Sequence, residues 1–206
     1  WETAIFASDE WKYIVPISEP SSNWNEIDYD DGDWNYSQGG FGYGDNDDGT
    51  IIGPPVISVF LRTSFTVYDI SKLSCAILSA DYDDGYIAYL NGVEFSRRNL
   101  GNMGSAVYHN TTTTALHEAE MYGGGFPEQV DIDLNNIPII EGTNTLAVEV
   151  HNYSSNSSDL SCIPFLTLGY GSILDGVTEP NEYITIPNSF LHTNFRLDSD
   201  GETLFL

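Results

Sequence analysis

Along this chain apolar residues recur at every second position far more often than at every third or fourth, and glycine interrupts most windows in which a helical stripe could form. The pattern predicts strands over residues 11–16, 56–67, 73–81, 85–90, 93–97, 129–134, 143–152 and 161–169. The clearest alternation is Asn144-Thr145-Leu146-Ala147-Val148-Glu149-Val150-His151, where Leu146, Val148 and Val150 share one face and Thr145, Glu149 and His151 lie on the other. That strand is expected to have one face in the core. Between the runs 85–90 and 93–97 stands Asn91-Gly92, a pair that readily takes the positive φ angles of a two-residue type I′ turn, so the two runs are read as a hairpin. Only residues 115–122, Ala-Leu-His-Glu-Ala-Glu-Met-Tyr, could wind into a turn or two of helix.

Two long regions, 28–55 and 99–114, carry most of the glycine and acid, and loops of that length inside a compact domain are usually functional or ligand-ordered. After Gly169 the pattern changes, with Gly176, Pro180 and Pro187 marking a linker before a strand-rich fragment over 194–206. The expected organisation is one sandwich domain over residues 1–172, then a linker and terminal strand-rich extension over 173–206.

Composition agrees with the strand pattern. Hydrophobic residues make up 41% and aromatics 13%, with 13 Tyr against 2 Met, which favours strands over helices. Charge narrows the partners further. With 31 acidic residues against 6 Lys and Arg, the formal net charge is −25, so neither nucleic acid nor an anionic membrane surface is an expected partner. Such a charge repels itself unless it is screened or neutralised, which suits bound divalent cations or a salty habitat; a solubilising acidic surface accounts for the same composition. No run approaches the roughly 18 apolar residues that span a bilayer, so no membrane insertion is expected, and Trp1 is read as a processed start. Cys75 and Cys162 form no zinc spacing and are read either as one disulfide between neighbouring strands or as two buried thiols.

The pentapeptide Asp-Tyr-Asp-Asp-Gly occurs at residues 28–32 and 81–85, and Asp-Asn-Asp-Asp-Gly at 45–49. Closely spaced Asp residues bent around a Gly can supply several of the six to eight oxygen ligands that calcium takes, although the same residues also make plain turns. Asp45, Asp47, Asp83 and Asp84 are the candidate calcium ligands, and the ion would be structural. Zinc is not expected, because His109, His117, His151 and His192 are scattered.

No catalytic site is expected. Nucleophile elbows and phosphate loops are absent, and Ser158-Asp159 downstream of His151 matches no triad spacing. With this many acids, some carboxylate pair would meet the separation a glycosidase needs by chance. Aromatics are the better lead, since the C–H faces of sugars stack on Trp and Tyr. Trp24, Trp34, Tyr43 and Tyr86 fall in or beside the Gly- and Asp-rich loops, and Arg97-Arg98 lies at the end of the hairpin. The same rings could cap the ends of a sandwich, and the arginines could pair with local Asp.

Several runs are familiar in combination: Phe41-Gly42-Tyr43-Gly44-Asp45, Leu61-Arg62-Thr63-Ser64-Phe65, and Asp83 to Glu94 through Gly85-Tyr86-Ile87-Ala88-Tyr89-Leu90-Asn91-Gly92. With Arg98-Asn99, Gly142 to Asn152 and Ser157-Ser158-Asp159-Leu160, they resemble, in order over about residues 11–169, the galactose-binding-like jelly-roll modules of large bacterial surface and secreted proteins. The resemblance implies an all-β antiparallel sandwich of galactose-binding-like jelly-roll type, similar to carbohydrate-binding modules, often with a structural calcium and often attached to a hydrolase. Leu191-His192-Thr193-Asn194-Phe195-Arg196-Leu197 with Gly201-Glu202-Thr203-Leu204 resembles part of a lamin-tail-like domain.

The sequence therefore leads to a non-catalytic, extracellular bacterial module, secreted or on the cell surface, that holds its protein to a polysaccharide. Trp34, Tyr43, Tyr86, Arg97, Arg98 and Asn99 are the expected glycan contacts. The alternative is a structural or adhesin module without a soluble ligand, whose partners are neighbouring domains or copies of the same chain.

Overall fold

The computed structural model describes residues 1–53 and 55–171. The predicted linker and extension over 173–206, with the lamin-tail-like fragment, lie outside the described residues.

Twelve strands form two sheets. Sheet A contains β1 (Glu2–Ile5), β4 (Phe41–Tyr43), β5 (Thr50–Ile51), β7 (Leu73–Asp83), β10 (Glu128–Asp131) and β12 (Leu160–Tyr170). Its order is β10-β7-β12-β4-β5, with β1 also paired to β12. Sheet B runs β3 (Asn35–Gln38), β2 (Glu10–Ile14), β6 (Ser58–Val67), β11 (Gly142–His151), β8 (Gly85–Leu90), β9 (Val93–Arg98). All pairings are antiparallel except β4 with β5. The chain is thus an all-β, largely antiparallel two-sheet sandwich.

The core lies between the inner faces, where Trp11, Leu61, Tyr86, Leu146 and Val148 of sheet B meet Phe41, Leu78, Leu166 and Leu168 of sheet A. The predicted hairpin is present as β8–β9, with φ of 52° at Asn91 and 85° at Gly92, as a type I′ turn requires. Asn91 also ties the turn to β11, accepting from the Thr145 amide at 2.8 Å and donating to Asn144 Oδ1 at 2.8 Å. The helical possibility over 115–122 is reduced to a short 3₁₀ turn, Met121–Gly123. Cys75 and Cys162 do lie on neighbouring strands, but Cys75 faces Gly169 and Cys162 faces Tyr82. That register sets them roughly 23 Å apart at about 3.3 Å per residue, so both are thiols.

The expected core face of β11, with Leu146, Val148 and Val150, is present, and its other face is covered as well. Ala147, Glu149 and His151 are as buried as the core residues beside them. Two segments that read as loops lie on the outer face of sheet B. Trp24, Trp34 and Tyr29 form a second apolar layer with Phe60 and Ala147, and the Thr111 carbonyl meets His151 Nδ1 at 2.8 Å. His151 Nε2 faces Glu149 Oε2 at 3.0 Å, and Tyr89 donates to the other Glu149 oxygen at 2.6 Å. Both ring nitrogens of His151 thus face oxygen atoms of neighbouring groups. The aromatic layer covers only part of sheet B. Towards β3 the outer face is open.

Candidate functional site

At one end of the sandwich four parts of the chain bring carboxylates together: the β4–β5 loop, the β7–β8 junction, the connection from β9 to β10 and the approach to β12. Asp45, Asp47 and Asp48 form one cluster, and Asp83, Glu118 and Asp159 a second, the ligand atoms in each lying within 4.8 Å of one another. Asp45, Asp83, Glu118 and Asp159 also line a single small cavity of about 110 Å³, with half-exposed Tyr122 at its rim. Two glycines make this assembly possible. Gly44, at φ 114°, lets the loop rest on Asp159, and a Cβ on Gly42 would stand 2.6 Å from Asp48 Oδ2.

No cation faces these groups among the described residues. Two carboxylates 4 Å apart repel by about 4 kcal/mol at an effective dielectric constant of 20, so the site is costly while every group is charged. Burial first, and Asp45 and Asp47 next, push the Asp48 carboxyl up to about 8. Burial, then Asp84, Asp159 and Glu118, push Asp83 up to about 8. Asp47 rises to about 6 through burial and Asp45. Both oxygens of Asp48 and Oδ1 of Asp45 are fully buried without a hydrogen-bond partner. An all-oxygen, anionic and unpartnered donor set fits a hard cation such as calcium.

Of the four expected calcium ligands, the fold gathers Asp45 and Asp47 in one cluster and places Asp83 in the adjoining one. Asp84 is corrected: joined to Asp83 by a cis peptide bond, it spends its oxygens on the amides of His117 at 3.0 Å and Tyr153 at 2.7 Å. It therefore anchors two loops, and it is not among the residues that line the cavity. Asp81 acts in the same way on the amides of Glu120 and Met121. The copy at residues 28–32 makes a turn, with the Gly32 amide donating to Asp30, while Asp31 accepts from Arg62. Sequence reasoning did not select Asp48, although it belongs to the 45–49 repeat. Glu118 and Asp159 carried no local signal.

The expected aromatic platform is also corrected. Tyr86 is fully buried, its hydroxyl 2.9 Å from Ser96 Oγ, and Tyr43 is buried with Asn152 donating to its hydroxyl. Trp34 is only 8% exposed and stacks on Trp24 with ring centroids 6.1 Å apart. Burying a ring of this size is worth about 4 kcal/mol or more, which outweighs leaving it in solvent on a loop that can fold back. Arg97 grips Glu94 through two nitrogens and holds the carbonyls of Leu100 and Ser105. Arg98 pairs with Glu128. Asn99, at φ 57°, donates to the Asp84 carbonyl. Arg97 thus fastens the start of the 99–114 region to the hairpin, Arg98 ties the hairpin to β10, and Asn99 ties that region to the β7–β8 junction.

A second opening lies elsewhere, on the uncovered part of sheet B, and has a volume of about 430 Å³. Register places its floor: Tyr36 on β3 opposes Lys12 on β2, which opposes Arg62 on β6. Directly opposed residues share a face, so these three form a row across the sheet. Beside them Ser64 opposes Thr145, and both border the opening. Tyr36 is 59% exposed. Its hydroxyl donates to Glu10 Oε2 at 2.9 Å, which raises its pKa. The Lys12 ammonium stands 5.5 Å from the centre of that ring. Arg62 is buried, bound to Asp31 at 2.9 Å and to the carbonyls of Trp24 and Glu26. Nothing in the sequence marked Lys12 beyond its alternation with Trp11 and Tyr13 in a short strand, and nothing marked Tyr36.

No family model matches the chain, and no curated protein does. Solved structures do match in fold. A β-glucuronidase 2 from Bacteroides uniformis, covalently bound to cyclophellitol-6-carboxylate aziridine, is 14% identical with a TM-score of 0.50, over 78% of this chain and 17% of that one. A glycosyl hydrolase family 2 member from Bacteroides cellulosilyticus is 15% identical with a TM-score of 0.49, over 79% and 20%. A β-glucuronidase from glycoside hydrolase family 2 is 19% identical with a TM-score of 0.45, over 73% and 14%. The chain spans about a fifth or less of each of these proteins. At such identities the likeness concerns architecture, and it agrees with the two-sheet sandwich described above.

Proposed function

We propose that the chain is a non-catalytic carbohydrate-binding module of an extracellular bacterial protein, and that it seats a polysaccharide in the open cleft of sheet B. The observation that carries this reading is the cleft itself: an exposed Tyr36 ring on a rigid strand row, flanked by Ser64 and Thr145, in a volume of about 430 Å³. An apolar ring face beside convergent polar groups, in a cavity of roughly 300–1,000 Å³, is the usual make-up of a small-ligand site. Tyr36 supplies the stacking surface that Trp34, Tyr43 and Tyr86 do not. The neighbour with a TM-score of 0.50 is a β-glucuronidase of which the chain would represent 17%, which is consistent with an accessory domain of a sugar-acting enzyme.

A calcium ion belongs to this proposal as a structural element. Asp45, Asp47 and Asp48, with Asp83, Glu118 and Asp159 beside them, would hold it, and the ion would supply the positive charge that this end of the sandwich lacks.

The test is a broad glycan array followed by titration calorimetry of the best ligand. Binding that Tyr36→Ala abolishes while the melting temperature holds supports the proposal. An array without a saturable ligand, together with concentration-dependent self-assembly, would favour the structural-module alternative instead.

A further inference from the structure

The cation inventory of this chain is small enough to follow residue by residue. Of the 6 Lys and Arg, Arg196 lies outside the described residues. Arg62, Lys72, Arg97 and Arg98 hold Asp31, Asp69, Glu94 and Glu128 respectively. Lys12 alone, among the described cations, forms no ion pair and rests over an aromatic ring. In a protein with a formal net charge of −25 an ammonium without a carboxylate is conspicuous, and this one lines the cleft of about 430 Å³ on sheet B.

The acids around it each bond to another donor through one oxygen. Asp9 accepts from the Phe6 amide at 2.9 Å, Glu10 from the Tyr36 hydroxyl at 2.9 Å, and Asp31 from Arg62 Nε at 2.9 Å. Each cleft carboxylate is held by another donor, while register keeps Lys12 in line with the Tyr36 ring and the Arg62 guanidinium. Tyr36 offers the ring face, Ser64 and Thr145 offer hydroxyls, and the row offers positive charge at its centre.

We infer that the cleft is selective for an acidic sugar, with the anionic group of the sugar meeting the Lys12 ammonium while the pyranose face lies on Tyr36. This rests on the carbohydrate-binding reading above and adds the ligand class to it. A flat ring favours a sugar face over an extended anionic peptide, and Lys12 is a point charge that suits either a carboxylate or a sulfate. The overall negative charge repels polyanions at long range, so affinity for one requires a local contact of this kind.

The experiment is titration of the full chain with three probes: tetragalacturonate, its carboxyl-reduced neutral counterpart, and a sulfated galactan oligosaccharide. The expected result is tighter binding of at least one acidic probe than of the neutral one. Lys12→Gln should lower that acid-to-neutral ratio about tenfold and Lys12→Arg should keep it, a charge-assisted contact being worth about that factor. Which acidic probe wins identifies the anion as carboxylate or sulfate. Equal or tighter binding of the neutral probe overturns the acidic-sugar inference while leaving carbohydrate binding intact. So does a ratio that Lys12→Gln leaves unmoved. Failure of all three probes, with a neutral glycan bound on the array, overturns the inference alone; failure of every glycan overturns both.

Discussion

Two gatherings of charged side chains obey opposite rules in this molecule. At the end of the sandwich Asp45, Asp47 and Asp48 sit beside Asp83, Glu118 and Asp159, and acids face acids. In the cleft of sheet B each acid has a donor, and a cation is left over. The difference lies in who pays the electrostatic cost. In the cleft Arg62, a tyrosine hydroxyl and a backbone amide each give one carboxylate a donor from within the fold. The acidic end is complete only when protons or an external cation are added, which makes it a part of the structure that solution conditions can change.

The largest expected effect concerns the layer that frames the cleft. Trp34→Ala should cost about 3–5 kcal/mol in urea unfolding, as for a large ring removed from a core. A loss of glycan binding without a loss of stability would instead return Trp34 to the ligand site. Next is the ion: calcium at a hundred to a thousand times its Kd should add about 3–4 kcal/mol, read as a rise in Tm that excess chelator reverses. A melting curve indifferent to both would leave the acidic end without a cation.

Asp48→Asn separates attraction from repulsion. It should raise stability in chelator by about 1–2 kcal/mol, because a buried like charge is removed, and lower it in calcium, because a ligand is lost. pH gives the same contrast without mutation. Asp48 and Asp83 are pushed up to about 8 and Asp47 to about 6, against an ordinary value of 3.8. The calcium-free fold therefore holds more protons than the unfolded chain between about pH 4 and pH 8, and its stability falls as pH rises through that window. Calcium should flatten that slope, which thermal melts at stepped pH would record. The smallest effect belongs to the open part of sheet B: Tyr36→Ala should leave the melting temperature unchanged while removing glycan binding.

Much of the frame was legible because strand patterns are local. Each of the eight predicted strands overlaps an observed one, and the Asn91-Gly92 turn needs only its own two φ angles. β1, β3, β4 and β5 were not predicted because two to four residues are too few to display an alternation. That omission mattered for function, since Tyr36 lies on β3 and the β4–β5 loop carries Asp45, Asp47 and Asp48. The aromatics were visible as rings in glycine-rich segments, yet nothing in those segments says that they fold back on a sheet.

The sequence by itself determined the all-β class, the hairpin, the run of β11 and the surplus of negative charge, because each depends on residue type and short-range spacing. Tertiary structure alone decided which acids meet. Three near-identical pentapeptides became a turn, a cation-ready loop and a set of loop anchors, since a carboxylate takes its role from whatever the register brings opposite it. The same holds for Lys12: it is one lysine among acids in the sequence, and unpaired only because β3 and β6 place Tyr36 and Arg62 on either side of it.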